Sequence, residues 1–433
     1  RPRPLPEYEL PRPNAFVPRD FSLKHARAPP GEREAAAREP PALLRDDGRW
    51  QVFFKQDRAF GVPKASVRLL LRAPPGGGRE DVLPSRIWQA SLADRLGELY
   101  YDAGLAGLGI TATSSFPGLV LAFSGYSDRL LLLVEDVLAR VRAFDGPSDD
   151  EFARATDAVR RELQSFDKMP PYALAGYFAR LATVKQESSV EFLRAQLAGL
   201  AAARVRSYGA KLWASGQRRF GQAFFHGNLG PEDAARLQAL LGRLPFEPLP
   251  RAELARVRTA QLPQGRDVLL VRPGPNPENV NHALVCVCWT GTDPREAVLT
   301  ELLHSVLQDP FFARLRTEQQ LGYIVSSQVE RSGLLTRLVL AVQSSVRAPD
   351  GLLEAVDGFL GGFRADLEGL PEAQLRQLKA SLAERILRRD ERLGQEASRW
   401  WGEISSFQYR WDRRREDAAL VAEVARADLL DLF

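Results

Sequence analysis

The feature that most constrains this chain is a repeat in the order of its predicted elements. In the first half, the strand-like runs Trp50–Asp57 and Lys64–Arg72, joined through Gly61-Val62-Pro63, read as a strand pair. Apolar residues at helical spacing follow over Pro84–Leu105, then a second strand pair at Gly109–Thr113 and Leu119–Ser124. Helices are predicted at about 127–144 and 148–166, the latter opened by Ser148 as N-cap ahead of Asp149, Asp150 and Glu151. Further helices fill 171–214, a strand spans Phe220–His226, and a helix spans Pro231–Leu244. The second half runs through the same order. Strands fall at Val268–Arg272 and His282–Trp289, a helix at Pro294–Leu315, a strand pair at Leu321–Gln328 and Leu334–Gln343, and helices at Gly351–Phe363 and Pro371–Arg389. Leu108-Gly109-Ile110 corresponds to Leu321-Gly322-Tyr323, and Ala122-Phe123-Ser124 to Ala341-Val342-Gln343. Such a repeat implies an α+β protein of two homologous α/β-roll domains, each a mixed or antiparallel sheet covered by helices.

Length agrees, because 433 residues at about 150 per domain hold two or three cores. The expected divisions are an extended Pro/Arg-rich arm over 1–48 and domains over 49–250 and 251–433. Pro245, Pro248, Pro250, Pro263 and Gly265 interrupt the pattern at the junction. Apolar residues make up 45% and charged residues 26%, a mixture that folds. The net charge of +4 is dispersed among many acids, which argues against a nucleic-acid partner. No apolar run approaches the ~20 residues that cross a bilayer, and residues 1–30 lack the core of a signal peptide, so no membrane partner is expected. Cys286 and Cys288 are too few for a disulfide framework and fit a reducing compartment. The expected location is the cytoplasm, with mitochondria and other organelles left open. A start at Arg1 and a single methionine, Met169, read as a processed chain or a fragment.

Several chemistries lack their signatures. There is no Gly-x-Ser-x-Gly, no P-loop and no dinucleotide-binding glycine triplet. None of His25, His226, His282 and His304 belongs to a His-x-x-Glu-His or His-Glu-x-x-His pair, so no metal site is expected in this chain. His226, before Gly227-Asn228, reads as a turn-capping residue rather than a ligand, and His304 as a satisfied core histidine. Cys286 and Cys288 read as buried small hydrophobes on one face of a strand rather than as metal ligands.

Two clusters carry candidate function. Arg385, Arg388, Arg389 and Arg392 fall at i, i+3, i+4 and i+7 and predict a basic helical face. Two readings fit it, a solvated surface or a site attracting polyanions such as ATP. The second cluster is Phe311-Phe312-Ala-Arg-Leu-Arg316-Thr-Glu-Gln-Gln-Leu321-Gly322-Tyr323-Ile-Val. Arg316 and Tyr323 flank a helix end and a strand start, and Gly322 permits close backbone approach, so both side chains can meet one bound peptide. The structural alternative has Arg316 capping the helix and Tyr323 packing on the sheet.

This second segment resembles the C-terminal half of the insulysin and nardilysin branch of the pitrilysin-type zinc peptidases. Other pieces fit in order: Phe54-Lys-Gln-Asp57, Pro63-Lys-Ala65, Ser124-Gly-Tyr126, His226-Gly-Asn228, Trp401-Gly-Glu-Ile404, and Gln408-Tyr409 followed by Asp412-Arg413. The likeness runs from about Asn14 to Phe433, and Lys-Gln-Asp and Gln-Leu-Gly-Tyr-Ile-Val look more like insulysin than nardilysin. In that family four similar domains form two halves that close around a peptide-sized chamber, and the two repeats would be domains three and four.

The resemblance implies that zinc resides in an N-terminal half outside this sequence, which becomes the expected partner along with peptide substrates. A second copy of the chain stands as a further candidate partner. Arg316 and Tyr323 would serve as catalytic residues contacting the substrate backbone and the developing oxyanion, with Phe312 and Gly322 binding substrate. The expected function is thus the noncatalytic half of a zinc metalloendopeptidase, inactive by itself. The alternatives are a nardilysin-type half and a catalytically inactive peptide-binding or assembly subunit.

Overall fold

The structure, a computed structural model, describes residues 12–73, 79–115, 118–214, 216–260 and 265–433. Contacts gather these into two compact units. The first comprises the described residues of Arg1–Val159, Gln196–Arg256 and Glu391–Phe407, and the second those of Arg160–Ala195, Val257–Asp390 and Gln408–Phe433. The units are therefore not collinear with the sequence: 160–195 pack with the second and 391–407 with the first.

The first unit is built on strands β1 (Ala42–Asp46), β2 (Trp50–Gln56), β3 (Lys64–Arg72), β4 (Gly109–Ser115), β5 (Gly118–Tyr126), β6 (Arg218–Gly227) and β7 (Glu247–Pro248). Their order is β1-β2-β6-β3-β5-β4, with β7 pairing β6. The expected pairing of β2 with β3 is corrected, because β6 lies between them, parallel to β2 and antiparallel to β3. Burial explains the order. All of β6 after Arg218 is buried, Phe220, Ala223, Phe224 and Phe225 included, and a strand apolar on both faces belongs at the centre of a sheet. The link 57–63 spans the intervening strand and is folded by Asp57, whose carboxylate accepts the backbone N–H groups of Ala59, Phe60 and Gly61 at 2.8–2.9 Å.

The arm is not extended throughout, which corrects that expectation. Arg33–Arg38 forms a helix in an alanine-rich stretch between Pro29-Pro30 and Pro40-Pro41, and β1 pairs antiparallel to β2. The helix Ser127–Ala143 packs on β3 and β5 through a buried stripe that includes Leu130, Leu133, Val134, Val137 and Val141. Ser148 caps the helix Asp149–Ser165 as expected. Its hydroxyl accepts the Glu151 N–H at 3.3 Å, and the Glu151 carboxylate accepts the Ser148 N–H at 2.8 Å.

The second unit carries β8 (His282–Gly291), β9 (Ile324–Ser332) and β10 (Leu335–Ser344), antiparallel in the order β8-β10-β9. The expected strand at Val268–Arg272 is not formed. The run makes no strand pairing among the described residues, and its side chains are exposed, Val268 at 67%. The helix Pro294–Phe312 packs on β9 and β10, and Phe311, Phe359, Phe363 and Phe433 form a continuous edge-to-face and stacked run at 5.2–5.6 Å in the core.

The basic helical face over Arg385–Arg392 is corrected as well. The helix Glu372–Leu387 stops at Leu387, and Arg388 turns to extended backbone. The Arg414 guanidinium draws the chain away from the helix by donating to the Arg388 carbonyl and to Asp390, each at 2.8 Å, while Arg385 pairs with Glu301 at 3.2 Å. Cys286 is half-buried and Cys288 exposed on β8, so neither is the fully buried residue expected. Burial pushes the Cys286 thiol up to about 12. Among the described residues, no helix is long and apolar enough to cross a membrane.

Candidate functional site

The candidate site grows from the end of the helix Pro294–Phe312. That helix is started firmly, because the Asp293 carboxylate accepts the Glu296 N–H at 2.9 Å and Glu296 accepts the Asp293 N–H at 3.0 Å. Near its end stands Pro310, which has no N–H to give the helix, and from Ala313 to Glu318 the backbone widens into a π-helical turn. The turn closes with the Gln319 N–H on the Arg314 carbonyl at 3.0 Å and the Leu321 N–H on the Leu315 carbonyl at 3.0 Å. Gln320 between them takes the left-handed region, with φ of 51°.

Leu315 and Leu321 are buried, which anchors both ends of this turn in the core. Gly322 then passes directly against β10. A Cβ at this position would stand 2.1 Å from the Gln343 carbonyl oxygen, so only glycine fits without displacing backbone. Ile324 opens β9 opposite Gln343, and Tyr323 is left just outside the strand, 82% exposed.

These turns bring three of the expected residues together. Phe312 and Arg316 share a helical face four residues apart, and Tyr323 reaches the same place from the strand side. The Arg316 guanidinium carbon lies 4.8 Å from the Phe312 ring centroid and 4.7 Å from that of Tyr323. Either distance is a cation–π contact. Among the described residues no hydrogen bond or ion pair is made by the Arg316 side chain or the Tyr323 hydroxyl, whereas neighbouring Arg314 pairs with Asp366 at 2.7 Å. Gly322 takes part through its backbone alone. Arg385, Arg388, Arg389 and Arg392 are not gathered on one helical face.

The sequence reading missed a buried charged cluster in the first unit. His226 is wholly buried on β6, and its Nδ1 lies 2.9 Å from the Lys55 carbonyl oxygen on β2. The oxygen has no proton to give, so Nδ1 is the donor. His226 is therefore neither a turn cap nor a ligand. Its Nε2 stands 3.6 Å from Glu396 of the helix Leu393–Ser405. The Lys55 ammonium lies 3.4 Å from the same carboxylate and donates to the Ala36 and Glu39 carbonyls at 2.7 and 2.6 Å, and the Trp400 indole donates to Glu396 at 3.1 Å. Burial raises the Glu396 carboxyl, but His226, Lys55 and Trp400 outweigh it and hold it below the usual range. Burial lowers the Lys55 ammonium, and Glu396 opposes that shift. Lys55 and His226 sit in two of the quoted sequence pieces, and their role here is structural. Asn228 is structural too, bonding the Lys24 N–H, the Ser22 carbonyl and the Ser127 hydroxyl at 2.7–2.9 Å.

No group of three or more His, Cys, Asp or Glu side chains is arranged to hold a metal among the described residues.

Residues 1–195 match the model of the middle or third domain of peptidase M16, and residues 302–401 match that of the PQQ synthase PqqF-like C-terminal lobe domain 4. Human insulin-degrading enzyme is 27% identical over 439 residues, covering 99% of this chain and 41% of that protein. The chain thus spans about two fifths of the length of such relatives. Among solved structures, pitrilysin superposes with a TM-score of 0.85 at 22% identity, over 98% of this chain and 44% of its own. A peptidase M16 inactive domain from Pseudomonas fluorescens gives 0.67 at 14% identity, over 91% of this chain and 94% of that one. By sequence this chain is a homologue of part of insulin-degrading enzyme, and by fold it is similar to pitrilysin.

Proposed function

We propose that this chain is the noncatalytic half of an insulysin-like zinc metalloendopeptidase, its 49–250 and 251–433 portions serving as domains three and four. A zinc-bearing N-terminal half completes the enzyme, and the two halves enclose peptide substrates. The observation that carries this reading is the cluster of Phe312, Arg316 and Tyr323, where a guanidinium and a phenol stand exposed or half-exposed with no protein acceptor among the described residues. These donors are left to water or to a bound ligand rather than to the fold.

In the assembled enzyme Arg316 holds the substrate backbone beside the scissile bond. Tyr323 donates its hydroxyl proton as a hydrogen bond to the oxyanion that develops on the attacked carbonyl. The Phe312 ring lines the pocket for the residue preceding that bond. Zinc, if held by the partner half, would supply the activated water there, while residues of this chain bind, orient and stabilise. Polyanion binding at Arg385–Arg392 has weaker support, because the helical face it requires is not formed.

The test pairs the chain with its zinc-bearing half. Tyr323→Phe removes one hydroxyl and should lower kcat about tenfold to a thousandfold, as the loss of an oxyanion donor worth about 3 kcal/mol does elsewhere. Normal turnover in a folded Tyr323→Phe enzyme would sink the oxyanion role.

A further inference from the structure

The donors of Arg316 are unpaired in a particular way. The guanidinium carbon lies within cation–π range of two rings, and among the described residues none of its N–H groups, which lie in the guanidinium plane, meets a protein acceptor. An edge-on guanidinium suits a planar acceptor with two oxygens, because both can be engaged by parallel N–H donors. Glu318, the nearest acid in sequence, makes no ion pair with it.

The molecule contains a filled counterpart. Arg251 in the first unit is likewise seated over two rings, those of Phe220 and Phe407, at 5.4 and 5.6 Å. Its edge is occupied by the Asp46 carboxylate. The two arginines share an aromatic seat and differ in that one has its carboxylate built in. Beside Arg316 the Tyr323 hydroxyl adds a further unpaired donor.

We propose that the Phe312–Arg316–Tyr323 stack binds the free α-carboxylate of a peptide, and so retains the acyl-side fragment that peptide hydrolysis releases. The inference rests on the reading of this cluster as a substrate contact and adds a ligand class to it. Hydrolysis breaks the amide C–N bond and adds the oxygen of water to the acyl carbon. Where the substrate presents a neutral carbonyl, that fragment presents an anion with two equivalent oxygens. A charge-assisted bidentate pair is stronger than a single hydrogen bond to a neutral carbonyl, so the fragment is held more tightly than the peptide it came from. Phe312 and Tyr323 act as positioning residues, holding the guanidinium through their cation–π contacts.

The experiment titrates the 433-residue chain with N-acetyl-Ala-Ala-Phe bearing a free carboxylate and with the same peptide as its C-terminal amide, by calorimetry at low and at physiological salt. The acid should bind about threefold to tenfold more tightly than the amide, with the advantage shrinking as salt rises. Arg316→Gln should abolish the difference, while Arg316→Lys, which keeps the charge and loses the fork, should retain only part of it. Circular dichroism melts confirm that each variant is folded. Equal affinities for acid and amide, or no saturable binding of the acid, would overturn the proposal. A preference unchanged in Arg316→Gln would also overturn it. If acid and amide bind equally and both weaken in Arg316→Gln, the carboxylate inference fails while the substrate-contact reading stands. If Arg316→Gln changes neither, both fail.

Discussion

The His226 cluster of the first unit and the Arg316 cluster of the second are built from similar parts and serve opposite ends. Each places a cation near an aromatic ring, Lys55 at 5.8 Å from Trp400 in one and Arg316 at 4.7 Å from Tyr323 in the other. In the first, Lys55 has two carbonyls and a carboxylate around it, and His226 and Glu396 are essentially without solvent exposure. In the second, the donors find no partner among the described residues and Tyr323 is 82% exposed. A closed cluster has its acceptors supplied by the fold and can only stabilise it. An open one costs the fold little and leaves its donors for something else. The difference lies in whether the acceptor is encoded.

The strongest way to break the closed cluster is Glu396→Ala. Removing the carboxylate leaves the Lys55 ammonium buried without a counter-charge and takes away the group facing the His226 Nε2, and the expected loss is about 3–5 kcal/mol of unfolding free energy by denaturant titration. Acid sharpens the point. Because the folded-state Glu396 carboxyl lies below its ordinary value of 4.5, its contribution is present above that value and is lost as pH falls through the folded pKa. The stability gap between the natural chain and Glu396→Gln should therefore narrow only below about pH 4.5. A gap that narrows at neutral pH would mean that Glu396 is not the titrating group.

Gly322→Ala comes next. The added methyl meets the Gln343 carbonyl, and an overpacking cost of about 1–3 kcal/mol is expected, with Tyr323 displaced from Arg316. Its signature is loss of the acid-over-amide preference together with a lowered melting temperature. The smallest effect is expected at the open cluster itself. Arg316→Gln and Tyr323→Phe should change stability by less than about 0.5 kcal/mol, since neither removes a buried bond. A large loss of stability in either would move the open cluster to the structural side of the comparison.

What could be read from the sequence follows the range of the forces involved. The Ser148 capping box and the Gly109–Ser115 and Gly118–Tyr126 hairpin depend on neighbours within a few residues, and both were legible. So was the likeness to M16 peptidases and the shared face of Phe312 and Arg316. Strand order was not, because β6 takes its place between β2 and β3 through burial on both faces, which no local pattern states. The run Val268–Arg272 has strand composition and no ladder partner. The basic face over Arg385–Arg392 fails at Leu387, where Arg414 and Asp390 end a helix that periodicity would continue. Tyr323 reaches Arg316 only through a π-helical turn and a left-handed Gln320, both set by the burial of Leu315 and Leu321. Lys55, His226 and Glu396 come from three distant segments, and nothing in any one of them announces the others.

The central position of β6 also bears on how the first unit comes to exist. Its His226 meets Lys55 across 171 residues of chain, and the strand that joins the β1–β2 pair to the three strands β3, β5 and β4 is the last long strand of that sheet to be synthesised. Until it arrives, β2 and β3 each present an unsatisfied edge lined with Val52, Phe53, Val67 and Leu69, and the sheet stays in two pieces. Closure demands a long-range, partly parallel insertion rather than a local zip, a step that is slow and exposes apolar edges while it waits. Refolding of this unit should thus be limited by the docking of one strand, and ribosomes should have passed Gly227 before the nascent sheet acquires resistance to protease.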